Sequence, residues 1–312
     1  MVFLKVKGLS SRYSSSKGPV YAVDDVDFSL EDKESIGIAG ESACGKSTLG
    51  LSHIRMLSGG KTEGIVSFEG DSLLDVSETE FDEKFRWKKI SMIFQGAMNS
   101  LDPVFTINDQ FVEILKQHNF DGDSTQVILD AINSVSLDEH ILKKYPHELS
   151  GGMKQRVIIA MALLLKPKFV IADEPTTALD VLIQAQIVNL LKILKKGGMS
   201  FMLITHDLAV LSEIADKIGI MYGGQMVELG SSKEIYKNPK HPYTQGLLES
   251  IPTLNGGNPK YIKGIPPSLL DAPTQCRFID RCPLVIEKCK QLPPKFKTDT
   301  GYVRCWLYED KE

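Results

Sequence analysis

Nine consecutive residues, Gly40, Glu41, Ser42, Ala43, Cys44, Gly45, Lys46, Ser47 and Thr48, restrict what this chain can be more than any other feature. The first eight match G-x-x-x-x-G-K-[ST] in full. The glycines let successive backbone N–H groups curl round an anion, and a helix beginning near Lys46 points its positive end at the same place. Lys46 should reach the β- and γ-phosphates of a nucleotide, and the Ser47 hydroxyl should ligate Mg2+. The apolar run 35–39 (SIGIA) precedes the loop and a helical pattern follows it, so the segment reads as strand, loop, helix. A glycine turn with an unrelated surface lysine would lack that context.

The pattern around the loop is that of an α/β protein. Val26, Phe28 and Leu30 alternate with Asp27 and Ser29, the period of a half-buried strand, and residues 65–69 and 90–94 give two more. From about 109 to 165 the period turns helical, with Ile107, Phe111, Ile114 and Leu115 on one face and Val127, Ile128, Ala131 and Ile132 on another. Strands return at 169–172, 201–204 and 218–221, with a helix over 181–194 between the first two. Strands alternating with helices at this spacing predict a parallel sheet. Beyond residue 232 periodicity fades and prolines recur, from Pro239 and Pro242 through Pro252 and Pro259 to Pro293 and Pro294. A boundary is therefore expected near 232, with a loop-rich accessory domain over 233–312.

Composition excludes some functions. A net charge of −4 gives no long-range attraction for polyanions, which argues against a general nucleic-acid binder. The first thirty residues contain no apolar stretch of the secretory kind. The longest apolar run, 157–165, is about half of the roughly 20 residues that a membrane span needs, so no span is expected.

Two further motifs bear on the phosphate loop. The apolar segment 169–172 ends in Asp173 and Glu174. At a strand's C-terminal edge, Asp173 would meet the Mg2+ shell and Glu174 would face the γ-phosphate. A solvated strand end would explain the pair equally well if it stood alone; beside a phosphate loop it points to a nucleotide hydrolase or switch. Between the motifs lies Leu149-Ser150-Gly151-Gly152-Met153. Ser150 suits a helix N-cap, and an exposed Ser-Gly-Gly before a helix is also a phosphate site, because free N–H groups and the helix dipole converge there. One monomer has no obvious use for both phosphate sites.

With these motifs in this order, residues 1–232 resemble the ATP-binding cassette family. The resemblance implies a phosphate-loop NTPase (RecA-like) α/β core with an antiparallel β subdomain, an inserted helical subdomain at about 96–165 and, here, the small C-terminal domain. It implies two cassettes sandwiching two nucleotides, each between the phosphate loop of one subunit and the signature of the other. Ser150, Gly151 and Gly152 match that signature, with Met153 in place of the usual Gln. Gln95 matches the glutamine that touches Mg2+ and senses the γ-phosphate. Ala178-Leu179-Asp180 matches the D-loop, and His206, after the apolar run 201–204, matches the switch histidine. Tyr13 is the candidate for stacking on adenine, with Tyr21 competing. Glu174 would serve as general base for the attacking water, with His206 holding the γ-phosphate in register.

Among cassette ATPases the sequence favours a transporter. Chromosome and repair ATPases carry a long coiled coil between the glutamine and the signature, whereas 55 positions separate Gln95 from Ser150. Translation factors carry two phosphate loops and this chain has one. The run 241–248 (HPYTQGLL) resembles the C-terminal extension of the ATPase subunits of dipeptide and oligopeptide permeases, a group that also handles nickel and oligosaccharides. That implies a peripheral subunit on the cytoplasmic face of the membrane. Its partners would be a second cassette, more readily a paralogue than a copy, two transmembrane permease subunits and, indirectly, an extracytoplasmic solute-binding protein.

Cys276, Cys282, Cys289 and Cys305 crowd the last 37 residues with spacing C-x5-C-x6-C-x15-C. Two disulfides suit a reducing compartment poorly, a structural zinc usually has a C-x2–4-C knuckle, and the common ferredoxin spacings do not match. The residues alone leave disulfides, free thiols and Zn2+ open, with one metal centre favoured. The resemblance implies a [4Fe–4S] cluster, structural or regulatory. Cys44 reads as a small residue at a variable loop position.

Overall fold

The computed structural model describes residues 2–251 and 261–309. The prolines at 252 and 259 lie outside them. The chain divides into two compact units, one comprising Met1–Asp75 with Leu203–Glu312 and the other Val76–Met202.

The first unit holds two sheets. One is antiparallel, with neighbours in the order Gly18–Glu31, Val2–Ser15, Gly60–Phe68 and Asp71–Ser72. The alternation read at residues 26–30 is real: Val26, Phe28 and Leu30 are buried while Ser29 is exposed. In the other sheet Ile36–Ala39 runs parallel to Lys217–Tyr222, pairing Ile36 with Lys217 and Ala39 with Ile220. All four residues of the short strand are buried, as a parallel strand covered on both faces requires. Gly37 is glycine for packing: a Cβ there would stand 2.8 Å from the Leu211 side chain on the helix Leu208–Ile214.

The tail joins this same sheet. Gln225–Ser231 pairs antiparallel with Lys217–Tyr222 on one edge and with Tyr302–Val303 on the other, and Phe296–Lys297 follows outside. The Tyr302 hydroxyl donates to the Asp27 carbonyl at 3.1 Å, and Arg304 donates to the Asp25 carbonyl at 2.8 Å. His241 caps the helix Pro242–Glu249, its Nδ1 accepting from the Tyr243 N–H at 3.0 Å, and Pro242 occupies the first turn where no N–H is needed. Burial holds His241 neutral, with its pKa lowered to about 3.

The second unit is mostly helical. Thr106 and Asp109 form a capping box at the start of Ile107–Gln117, and Asp123 caps Ser124–Ser134. Gly151–Leu163 and Val181–Lys196 complete the larger helices. Ile90–Ile93 and Phe169–Asp173 form a fully buried parallel pair, Ile90 opposite Phe169 and Ile93 opposite Ala172. The first of these strands stops before Phe94 and Gln95, both exposed, so Gln95 follows the strand in a turn and does not close it. Among the described residues no helix is long and apolar enough to cross a membrane.

Candidate nucleotide site

The phosphate loop bridges the strand Ile36–Ala39 and the helix Lys46–His53, as the strand–loop–helix pattern predicts. Two glycines make its path possible. Gly40 has φ 149° and a Cβ there would lie 2.2 Å from the Met221 carbonyl oxygen; Gly45 has φ 102° and its Cβ would lie 1.9 Å from the Ala22 carbonyl oxygen. Any side chain would collide with the main chain of a neighbouring strand. Ala43, between them, also takes a left-handed conformation with φ 62°.

Lys46 closes the loop from inside. Its buried Nζ donates to the carbonyls of Gly40 and Glu41, each at 2.8 Å. Cys44 points inward, its carbonyl accepts from the Gly224 N–H at 3.1 Å, and burial pushes its thiol pKa up, so it is a packed wall rather than a nucleophile. Ser42 and Ala43 are exposed, with Glu41, Gly45, Ser47 and Thr48 half-buried. Tyr13, on the strand Val2–Ser15, sets its hydroxyl 3.5 Å from Thr48 Oγ1, while Tyr21 lies under the Arg12 guanidinium, 5.9 Å from ring centre to carbon. Of the two tyrosines, Tyr13 is the one brought to the loop. His206 is exposed just after the strand Ser200–Ile204, and the next residue, Asp207, caps the helix Leu208–Ile214.

The second unit carries the other candidates. Asp173 ends its strand almost fully buried. Glu174 follows with φ 47°, an uncommon conformation for a residue with a side chain, which costs on the order of 1–3 kcal/mol and turns the side chain out of the strand direction. Its Oε2 accepts from Thr177 Oγ1 at 2.8 Å and from Gln95 Nε2 at 3.2 Å. Gln95 and Glu174, 79 positions apart and assigned separate tasks from the sequence, are thus joined by a hydrogen bond. Thr177 went unnoticed in the sequence, where a threonine three residues past an acid carries no signal.

Ser150 caps Gly151–Leu163, its Oγ accepting from the Met153 N–H at 3.3 Å. Gly151 is exposed and Gly152 buried; a Cβ on Gly152 would stand 2.8 Å from the Ile183 side chain of the neighbouring helix. Asp180 caps that helix, accepting from the Ile183 N–H at 2.9 Å.

The cluster Cys276, Cys282, Cys289 and Cys305 consists of free thiols, which removes the disulfide reading. The Cys276 N–H donates to the Cys289 carbonyl at 3.0 Å. Burial, and then the charges of the other three cysteines, push Cys276 up to about 12; burial first also raises Cys305 to about 11. Among the described residues no group of three or more His, Cys, Asp or Glu side chains is placed to hold a metal ion, so neither the [4Fe–4S] cluster nor the Zn2+ expected from the sequence finds support in this arrangement.

Comparison with known proteins agrees with this geometry. Residues 23–177 match the ABC transporter family, and residues 227–289 match the oligopeptide/dipeptide transporter C-terminal region. The oligopeptide transport ATP-binding protein AppD of Bacillus subtilis is 43% identical across 99% of this chain and 97% of its own length. The chain belongs to the ATP-binding cassette family. The oligopeptide transport ATP-binding protein OppD of Escherichia coli is 42% identical across 96% of this chain and 91% of its own. Among solved structures, the ATP-binding cassette MJ0796, in a dimeric post-hydrolysis state bound to ADP and phosphate, covers 73% of this chain with 98% of its own, at TM-score 0.64 and 27% identity. The α/β phosphate-loop NTPase fold and ABC-type ATP hydrolysis follow from that membership, and the cassette's own side chains define what each unit can contribute.

Proposed function

We propose that this cassette is the ATP-hydrolysing subunit of an importer for dipeptides or oligopeptides. The observation that carries the reading is near full-length similarity to proteins named for oligopeptide transport, including the tail region. It favours peptides over oligosaccharides or nickel. Residues 1–232 form the nucleotide-binding domain and 233–312 the accessory domain. Lys46 and the loop amides bind the phosphates, Tyr13 stacks on adenine, and Glu174 draws a proton from the attacking water. Thr177 and Gln95 hold the Glu174 carboxylate, and His206 keeps the γ-phosphate aligned. Ser47, Asp173 and Gln95 are the groups that would hold Mg2+, which supplies positive charge against the phosphate oxygens. Ser150, Gly151 and Gly152, with Asp180, serve the nucleotide of a second cassette, more readily a paralogue. That pair works beneath two transmembrane permease subunits on the cytoplasmic face of the membrane, with an extracytoplasmic binding protein selecting the solute. ATPase activity of the reconstituted transporter is expected to rise with peptides and not with oligosaccharides. Stimulation by neither would overturn the importer reading.

The four tail thiols are proposed as ligands of a [4Fe–4S] cluster. What supports the reading is four free cysteines in the tail, the ligand type such clusters use. Protein prepared without oxygen is expected to be brown with four irons per chain, by the composition of such a cluster. A colourless preparation refutes the cluster.

A further inference from the structure

The accessory segment reaches the phosphate loop directly. Arg281, next to Cys282, buries its side chain to 4% exposure and forks onto Glu41, the second residue of the loop. Nη1 donates to Glu41 Oε2 at 2.7 Å and Nη2 to Oε1 at 2.9 Å. The remaining donors go to the Tyr222 hydroxyl at 3.1 Å, the Ile262 carbonyl at 3.3 Å and the Lys263 carbonyl at 2.9 Å. All five guanidinium N–H groups are therefore used, a geometry that lysine cannot reproduce.

The loop's main chain is held from the same side. The Glu41 N–H donates to the Tyr243 hydroxyl at 2.9 Å. Tyr243 is fully buried and packs with Tyr222, 4.5 Å between ring centres, and edge-on with Phe278 at 5.4 Å. Glu41 is thus gripped at its amide and at its carboxylate by residues from beyond position 240. Its third polar group, the carbonyl, accepts from Lys46 Nζ. Holding Glu41 fixes one of the two carbonyls that aim the phosphate lysine.

We propose that Arg281 is a positioning residue for the phosphate loop, so that the tail sets how tightly this cassette binds ATP. The fork with Glu41, steadied by Tyr243 below it, holds the loop's first turn in the conformation that receives phosphate. The segment bearing the cysteines is then a structural part of the ATP site. A disturbance at Cys282, one residue along the chain, has a short covalent path to the loop.

The test measures Mg-ATP affinity of the full-length chain with a fluorescent ATP analogue, for wild type, Arg281→Ala, Glu41→Gln and the double variant. Each single variant is expected to bind about tenfold more weakly, a coupling typical of contacting residues. The double variant should also lose about tenfold, because either change breaks the same link, whereas independent roles would multiply to about a hundredfold. In the assembled transporter Arg281→Ala should raise KM and leave kcat nearly unchanged, the signature of lost ground-state binding. Near-UV circular dichroism identifies any variant that fails to fold. Should Arg281→Ala be one, Arg281→Lys, which keeps the charge and loses the fork, replaces it in the cycle. Wild-type affinity in the folded Glu41→Gln variant, or multiplicative losses in the double, overturns the proposal. The inference rests on ATP occupying the loop, and a wild-type chain that binds no analogue would fail that reading instead.

Discussion

Replacing Glu174 by Gln leaves ATP binding intact and lowers turnover by about 10²- to 10⁴-fold, the usual worth of a positioned general base. The substitution keeps the side chain's length and shape, so it removes proton acceptance and little else. The carboxylate is held at Oε2 by Thr177 and Gln95, and the left-handed backbone at Glu174 fixes where that side chain starts. An amide oxygen can still accept from Thr177, so the local structure survives. Steady-state phosphate release and nucleotide affinity, measured on the same preparation, separate the two effects. Turnover equal to wild type would remove Glu174 from the reaction and leave the carboxylate a mere strand terminus.

The second large effect is structural. Gly45→Ala is expected to abolish ATP binding and to lower the urea midpoint of the chain. The new Cβ would sit 1.9 Å from the Ala22 carbonyl oxygen. That oxygen belongs to the strand Gly18–Glu31, where Ala22 is held between Tyr21, paired with Arg12, and Val23, paired with Ser11. The alanine must also hold φ near 102°, a region that L-residues rarely adopt. Backbone strain of this kind costs about 1–3 kcal/mol before the collision is counted, a large part of a marginal total stability. Gly59→Ala is the control. Gly59 has φ 65° with nothing within 4 Å of its Cβ, so alanine there meets only the left-handed penalty of about 1–2 kcal/mol. Equal urea midpoints for the two variants would show that contact with Ala22 does not decide why residue 45 is glycine.

Much of the fold was legible because its determinants are local. Ser150 and Asp180 answer to helix ends, and residues 26–30 to the two-residue period of a strand. Each reports a constraint set within a few positions along the chain. The limits of that reading appear at Gln95, where a continuous apolar run suggested a strand reaching the glutamine. Pairing with Phe169–Asp173 ends at Ile93, since a strand extends only as far as its partner supplies hydrogen bonds. The tail was harder still. Its prolines and short elements have no period, and its order comes from Tyr302–Val303 joining the edge of Gln225–Ser231.

The phosphate loop shows where the division falls. Its motif, its place between strand and helix and the lysine that closes it were determined by residues 35–53 alone, because turn geometry and N–H orientation depend on neighbours in sequence. The partners that hold it and its chemistry were decided by tertiary structure: Arg281 on Glu41 across 240 positions, and Gln95 with Thr177 on Glu174. A side chain's periodicity tells which way it faces, while what it meets there depends on packing among distant segments.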